Sequence, residues 1–245
     1  MNYVNDKNNI NRTINKYLTT NHCKPNNMIL SYKNIINNNI IDNNEISSKN
    51  IKNFEIHQIW FQGITKMPTN LAFFSKSWKD NHPTAKIHYW DEDNISELIH
   101  THYKEYQEFY SSLPKMIMKI DLAKLFILGI HGGLYVDMDF YCLQNTEEYF
   151  ITKTNISAGY EKAGANGKPS ITNAYIYLPD NIENKNKIKE LIKILIDEYN
   201  ISKKSNNFVI NILQSFGPIA FQRHEKLFNI ESTSTFSKSC YVSPC

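Results

Sequence analysis

The chain has few cysteines, little net charge and no long apolar run, and each shortage excludes a class of protein. Its four cysteines, Cys23, Cys142, Cys240 and Cys245, are too few and too scattered for a disulfide scaffold or a paired zinc site. The 27 Lys and Arg outnumber the 24 Asp and Glu by a formal net charge of only +3. This charge is too small for a protein that binds nucleic acid by neutralising its phosphates. No stretch reaches the roughly 18 apolar residues of a membrane span, and the N-terminus has no signal-peptide core. We therefore expect a cytoplasmic protein that neither binds nucleic acid nor spans a membrane.

What remains is the composition of a globular protein with an unusual N-terminus. Hydrophobic residues make up 41% of the 245 residues and aromatic residues 13%, which is enough for one packed core. Residues 1–50 hold 16 of the 32 asparagines, yet Ile10, Ile14 and Leu18 keep helical spacing. We expect an Asn-rich helical extension over residues 1–50 and the main domain over residues 51–245.

The main domain begins with alternating strand and helix patterns. The segments FEIHQIWF (54–61) and AKIHYW (85–90) are rich in β-branched and aromatic residues, which is typical of strands. A helix is predicted between them over residues 71–80, and Asp91 or Asp93 can cap another. This order predicts an α/β fold. Further strands are expected at 156–160 and 171–178, and further helices at 183–199 and 206–215, before a break at 217–218.

The most informative segment is KIDLAKLFILGIHGGLYVDMDFYCL, residues 119–143. Its composition predicts a helix over residues 115–130, which Gly132-Gly133 ends, and a strand over residues 134–143. Side chains alternate along a strand, so Asp137 and Asp139 share one face with their Cα atoms ~6.6 Å apart. Two adjacent anions in an apolar segment are costly unless a cation neutralises them. The pair therefore indicates a site for Mg²⁺ or Mn²⁺ and the phosphates of a substrate.

A polar strip lies on the preceding helix. Asp121 and Lys124 are three residues apart, so they share a helix face. Lys124 could contact a phosphate and Asp121 could accept a hydroxyl of a nucleotide. Each feature also has a simpler interpretation: a solvated strand end, a surface ion pair and an ordinary helix stop. Their occurrence within about 20 residues favours a site.

Five segments occur along the chain in a recognisable order. They are IHQIWFQG (56–63), SWKDNHP (77–83), YWDED (89–93), the 119–143 block and FGP (216–218). In this order they resemble glycosyltransferase family 32, the enzymes with a DXD-containing sugar-binding region, over roughly residues 54–245. Its relatives include fungal initiating mannosyltransferases and, more distantly, bacterial glucosylating toxins.

The resemblance implies a fold, a reaction and a cofactor. The fold is GT-A, a Rossmann-like mixed sheet flanked by helices, over residues 51–245. The reaction is retaining transfer of a hexose from a UDP- or GDP-linked nucleotide-sugar donor to a glycan or protein acceptor. The cofactor is Mn²⁺ or Mg²⁺.

The resemblance also implies roles for individual residues. Asp137 would contact the ribose or sugar and Asp139 the metal, and both are assigned as metal ligands. Asp121 and Lys124 match the family's Asp-x-x-Arg helix, which contacts nucleotide and sugar, and we count all four as catalytic. The family usually has Arg at Lys119 and Lys124. The residues assigned to donor binding are Trp60 beside the base, His57 and Gln58 supporting it, Asn173 near metal and donor, and the Gly132 and Gly133 break.

Two other interpretations stay open. A phosphohydrolase or phosphotransferase could use an Asp-x-Asp pair, although its motif requires Thr or Val where this chain has Tyr141. A catalytically weak sugar-nucleotide-binding or scaffold protein could keep the fold, because lysine lacks the planar fork of arginine. No carboxylate nucleophile can be named from the sequence. Double displacement and attack on the leaving-group face are therefore both open.

Overall fold

A mixed β-sheet with helices on both faces forms the part of the chain that can be described. The computed structural model describes residues 54–161, 170–202, 207–226, 228 and 230–233. The extension predicted over residues 1–50 lies outside them, and so do Cys23, Cys240 and Cys245. Within the described part, no helix combines the length and apolarity needed to cross a bilayer.

Strands and helices alternate through the first half of the described chain, as the sequence predicted. Short 3₁₀ turns at Ile64–Lys66 and Lys104–Tyr106 join some of them. In chain order the elements are β1 (Glu55–Ile59), α1 (Thr69–Asn81), β2 (Lys86–Trp90), α2 (Glu92–His102), α3 (Gln107–Ser112), α4 (Met116–His131), β3 (Gly133–Val136), α5 (Glu147–Ile151), β4 (Ser157–Glu161), β5 (Ser170–Leu178), α6 (Ile182–Ile201), α7 (Phe208–Ser215), α8 (Pro218–Arg223) and β6 (Glu231–Thr233).

Within the described residues, the six strands are ordered β2-β1-β3-β5-β4-β6. β1 pairs in parallel with both β2 and β3, and β5 is antiparallel to β3 and β4. The carboxyl ends of β1, β2 and β3 therefore meet at one edge of the sheet. In open α/β sheets this edge is where ligands bind.

Local sequence signals explain where α2 begins and where α4 ends. Asp91 caps α2: its carboxylate accepts from the Asn94 N–H at 3.0 Å, and the Asn94 side chain accepts from the Asp91 N–H. α4 ends at His131, and the next residue, Gly132, has a φ of 70°, which suits a residue without Cβ. Gly133 also has a positive φ, of 86°, and begins β3 directly after the helix.

The strand predicted over residues 134–143 is much shorter than expected, and that prediction was wrong beyond Val136. β3 ends at Val136, and residues 137–140 form a turn in which the Phe140 N–H donates to the Asp137 carbonyl oxygen at 3.3 Å. The apolar alternation continues through Met138 and Phe140 because both side chains are buried beneath the turn. Asp137 and Asp139 are therefore brought together by a turn and not by a shared strand face.

Two apolar cores lie on opposite faces of the sheet. One contains Leu122 and Phe126 of α4 with Leu195 of α6, and Tyr135 of β3 points into it. The second core contains Trp78 of α1 together with Leu134 and Val136, whose side chains lie on the opposite face of β3 from Tyr135. Because both faces are covered, β3 is fixed on each side, and the turn that follows it starts from a rigid strand.

Candidate active site at the carboxylate turn

The turn over residues 137–140, here called the carboxylate turn, is held on both sides. Before it, the Asp137 N–H donates to the Ala174 carbonyl oxygen at 2.8 Å, which extends the pairing of β3 with β5. After it, the indole N–H of Trp78 in α1 donates to the Phe140 carbonyl oxygen at 2.8 Å. Both anchors come from buried elements, so the two acidic side chains are presented on a fixed backbone.

Lys124 lies behind the carboxylate turn as a buried cation. Its Nζ is 3.0 Å from Oδ1 of Asp121, 3.1 Å from Oδ1 of Asp137 and 3.4 Å from the carbonyl oxygen of Asn173. An ammonium group has three N–H donors, and three protein oxygens surround this one. Lys124 is therefore engaged with protein groups, and it links helix α4 to the carboxylate turn.

Burial and charge act in opposite directions on this pair. Burial alone would lower the pKa of Lys124, but the carboxylates of Asp137 and Asp121 together raise it above its usual range. Burial raises the pKa of Asp121, against the opposing effect of Lys124 and of the hydrogen bond from Asn173. The ammonium stays charged, and Asp121 depends on it for compensation.

Asn173 and Tyr135 complete the group. The Asn173 amide donates to Oδ1 of Asp121 at 2.9 Å and, at 3.5 Å, to the carbonyl oxygen of Phe216 at the end of α7. The Tyr135 hydroxyl donates to Oδ1 of Asp137 at 2.6 Å, and burial raises the pKa of this hydroxyl well above its usual value. Tyr135 is therefore a protonated donor that fixes the orientation of Asp137.

Tyr135 and Phe216 are members of the site to which the sequence assigned no role. Tyr135 stood two residues before Asp137 in the predicted strand, so its position on the same face was the available signal. Phe216 contributes a backbone carbonyl, which no residue type encodes.

The carboxylate turn fits a hard divalent cation that takes only some of its ligands from the protein. Among the described residues, no group of three or more His, Cys, Asp and Glu side chains could hold a metal by itself. Asp137 and Asp139 offer two carboxylates, both half-buried and beside one turn. Mg²⁺ is usually bound by one or two carboxylates together with water and substrate phosphates. The residues present therefore fit a cation that arrives with a phosphate ligand.

Gln58 and Trp60 supply two unused donors near the end of β1. Gln58 is fully buried, and its Oε1 accepts from Ser75 of α1 at 2.6 Å. Within the described part of the chain, Gln58 Nε2 and Trp60 Nε1 are buried and have no hydrogen-bond partner. Buried donors of this kind are costly and usually find an acceptor. Both residues lie at the edge where the parallel strands end, so a ligand there could provide one.

His57, which we expect to support Trp60 beside the base, makes both of its ring hydrogen bonds within the protein. Its Nε2 lies 3.0 Å from the Gly132 carbonyl oxygen, and its Nδ1 accepts from the Trp90 indole at 3.2 Å. A carbonyl can only accept, so Nε2 carries the proton and the ring is neutral. Burial, with His88 and His131 nearby, holds the pKa of His57 well below its usual value. Both ring nitrogens are used inside the protein and none is left for a ligand.

Gly132 and Gly133 also lie away from the carboxylate turn, although they were assigned to donor binding. Gly132 precedes β3 and Gly133 begins it, whereas Asp137 follows the last residue of β3, about 13 Å beyond Gly133 at the rise of a strand. A Cβ on Gly132 would meet the Asp180 Cβ at 2.9 Å, and one on Gly133 would meet the Glu55 carbonyl oxygen at 2.6 Å. These glycines allow a close approach of backbones, which is a structural role.

Comparison with known proteins finds a family match that includes the carboxylate turn. Residues 68–161 match the family described as glycosyltransferase sugar-binding region containing DXD motif. This segment belongs to that family. It includes α4 and the carboxylate turn, whose Asp137 and Asp139 form the DXD motif. Asn173, Gln58 and Trp60 lie outside the matched residues.

Curated relatives cover only part of this chain. It is 35% identical over 95 residues to an uncharacterized glycosyltransferase of Acanthamoeba polyphaga mimivirus, which is 38% of each chain. It is 33% identical over 87 residues to inositol phosphoceramide mannosyltransferase 3 of Schizosaccharomyces pombe, which is 36% of this chain and 24% of that protein. The chain thus spans well under half the length of these relatives.

Solved structures extend the likeness to most of the described fold. The structure titled PaToxG Glycosyltransferase superposes with a TM-score of 0.54 at 15% identity, and the match covers 72% of this chain and 70% of that one. At this identity the likeness concerns the fold alone. The fold is GT-A, as the sequence predicted.

Proposed function

We propose that this protein is a metal-dependent retaining glycosyltransferase that moves a hexose from a nucleotide-sugar donor to a hydroxyl group of a glycan or protein acceptor. The observation that carries the proposal is the group formed by Asp121, Lys124, Asp137 and Asn173 around the DXD turn. It lies where the parallel strands end, which is the ligand-binding edge of an α/β sheet. The mannosyltransferase among the relatives supports a hexose as the transferred group.

The residues of the carboxylate turn have separate tasks in this proposal. Asp139 and Asp137 would hold Mn²⁺ or Mg²⁺, and such a cation, when bound, stabilises the charge that develops on a leaving diphosphate. Tyr135 and Lys124 both meet Oδ1 of Asp137 and so keep that carboxylate oriented. Lys124 acts on the donor through the carboxylates it holds, since its own donors face protein oxygens.

The two unused donors near β1 suit the nucleotide end of the substrate. The Gln58 amide and the Trp60 indole each have an N–H without an acceptor in the described residues. The carbonyl and ring nitrogen acceptors of a uracil or guanine base would supply what these donors lack. A UDP- or GDP-linked donor is therefore part of the proposal.

A donor panel tests the reaction. Purified protein with Mn²⁺ is incubated with UDP- and GDP-linked hexoses, and nucleotide release is measured with and without candidate acceptors. We expect release from at least one donor and a loss of about 100-fold or more in Asp139→Asn, because charge stabilisation at a transition state is worth this much. The anomeric configuration of the product, read by NMR, tests retention.

Asp80→Asn is the matched control for this panel. Asp80 is an exposed aspartate at the end of α1 that pairs with the exposed Lys76. Its replacement should leave nucleotide release unchanged. Tight donor binding with no turnover for any donor would favour the scaffold interpretation. Hydrolysis of simple phosphate esters through an aspartyl-phosphate would favour the phosphohydrolase.

A further inference from the structure

A patch of exposed apolar side chains lies near the part of the candidate active site formed by Asp121 and Phe216. We call it the apolar rim, and its six residues are between 37% and 57% exposed. Isolated exposed apolar residues are ordinary, but contiguous ones usually mark an interaction surface. The apolar rim consists of Ile64 in the first 3₁₀ turn, Met116 and Ile117 at the start of α4, and Phe208, Val209 and Ile210 at the start of α7.

Side-chain contacts join the three parts of the rim. The Lys115 ammonium lies 4.8 Å from the centre of the Phe208 ring, which connects α4 to α7. The Gln62 amide lies 3.8 Å from the Met116 sulfur, which brings the segment before Ile64 alongside α4. The exposed side chains therefore form one surface and not three separate ones.

The rim borders the candidate active site. Ile117 and Asp121 are one helical turn apart on α4, about 6 Å along the axis. At the other end of the rim, α7 leads into Phe216, whose carbonyl oxygen accepts from Asn173 in the site. Whatever covers the rim therefore also lies close to the site.

Helix α7 is unusually apolar for a helix whose residues are all at least partly exposed. Its sequence is FVINILQS, without a charged residue, and none of its residues is buried in the described structure. An apolar helix normally buries one face against its own protein. α7 packs Ile212 against the main core but leaves Phe208, Val209 and Ile210 exposed together, so apolar area remains in contact with water.

The charges around the rim indicate which partner covers it. Lys66 and Lys115 are exposed at its border, and there is no acidic residue in the 3₁₀ turn, in the first turn of α4 or in α7. Asp91, the carboxylate nearest to Gly63, is used to cap α2. Apolar side chains bordered by lysines, on elements that carry no acidic residue there, complement a bilayer with anionic headgroups.

We propose that the apolar rim docks on the surface of an anionic phospholipid bilayer and holds the candidate active site close to it. Val209 and Ile210 enter the boundary between headgroups and acyl chains, and Lys115 contacts the headgroups. The proposal goes beyond transferase activity, and its test does not require turnover.

Vesicle flotation of the full chain tests this directly. The probes are vesicles of phosphatidylcholine alone and of phosphatidylcholine mixed with phosphatidylserine. We expect binding to the mixed vesicles that weakens with added salt. Val209→Gln with Ile210→Gln should weaken it by about tenfold or more, because two buried aliphatic side chains are lost. Lys115→Gln should weaken it about fivefold, the share of one lysine near an anionic surface.

Ile182→Gln is the matched control. Ile182 is 72% exposed at the start of α6, and the neighbouring Asp180 packs on Gly132 at the opposite end of β3. Its replacement should leave vesicle binding unchanged, and circular dichroism should show every variant folded. Three results would overturn the proposal: no binding to the mixed vesicles, equal binding by all variants, or a dimer in light scattering that the rim variants abolish.

Discussion

Lys124 is the residue on which the electrostatics of the site depend most. It is 2% exposed and lies between the carboxylates of Asp121 and Asp137. Its charge makes the burial of Asp121 tolerable, and in return the two carboxylates keep its pKa high. An arginine would carry the same charge, but its planar guanidinium group is larger than the compact ammonium of lysine and would extend beyond the position of Nζ.

Replacing Lys124 by methionine should therefore destabilise the fold strongly. Methionine keeps most of the apolar stem and removes the charge, which leaves two carboxylates without a counter-ion. We expect a loss of about 3–5 kcal/mol in the free energy of unfolding, as for other buried pairs that lose one partner. Urea denaturation followed by circular dichroism measures it.

Lys76→Met provides the comparison on the surface. Lys76 pairs with Asp80 four residues later in α1, and both side chains are more than half exposed. Surface pairs of this kind contribute little, so the midpoint of unfolding should hardly move. If Lys124→Met were as stable as this control, the role assigned to Lys124 would be wrong.

At the scale of elements, the junction between α4 and β3 is the most constrained part of the backbone. Gly133 has a φ of 86°, and a Cβ there would lie 2.6 Å from the carbonyl oxygen of Glu55 in β1. Only glycine allows the helix to end, the strand to begin and β1 to pair in consecutive residues. The direction in which β3 carries Asp137 to the edge of the sheet follows from this junction.

Gly133→Ala should consequently cost more than conformational strain alone. A positive φ costs an alanine about 1–2 kcal/mol, and the contact with backbone adds to it because neither strand can move away. Gly63→Ala separates the two effects, since Gly63 has a φ of 84° but its nearest neighbour would be 3.9 Å from the new Cβ. Thermal unfolding of both variants should show the larger loss for Gly133→Ala. Equal losses would contradict the close approach described here.

The sequence predicted the elements well and the site in part. Helix α4 and strands β1, β2 and β5 follow from periodicity and from the glycine and proline breaks. The end of β3 did not follow, because Met138 and Phe140 continue the apolar alternation although the backbone turns. Asp121 and Lys124 could be paired from helical spacing. Their contact with Asn173, about 50 positions away, depends on how β5 pairs with β3, which no local pattern encodes.

At the scale of the whole molecule, the site is assembled from inside and outside the segment that matches the family. Residues 68–161 supply the carboxylates and Lys124. Asn173 and the carbonyl of Phe216 come from later elements, and Gln58 and Trp60 from an earlier one. The GT-A fold holds these parts together, which explains why the structural likeness covers more of the chain than the sequence match does.

The stability of the whole molecule should depend on pH through a group of histidines on β1, on β2 and at the end of α4. His57 and His88 stack with ring centres 4.8 Å apart, and His131 lies 5.6 Å from His57. Burial lowers the pKa of each of the three, although Glu55 near His88 and His131 opposes it. A histidine that is neutral when folded takes up a proton on unfolding below its ordinary pKa.

The free energy of unfolding should therefore fall as pH drops from about 7 to about 5, with His57 alone contributing about 1–2 kcal/mol over that interval. His57→Gln keeps an amide that can donate to the Gly132 carbonyl oxygen and should flatten the dependence. His100→Gln, at an exposed histidine of α2, should leave it unchanged. Urea unfolding at a series of pH values measures the slopes, and identical slopes in all three proteins would contradict this account.

The most direct measurement of the central claim is the binding of Mn²⁺ in the presence of a nucleotide sugar. Electron paramagnetic resonance reports free Mn²⁺ during a titration and does not depend on turnover. We expect the protein to bind Mn²⁺ more tightly with a UDP- or GDP-linked hexose than without one, and Asp137→Asn and Asp139→Asn each to weaken that binding by about tenfold or more. Binding that is unchanged in both variants, or absent with every nucleotide sugar, would contradict the assignment of the carboxylate turn as the donor site.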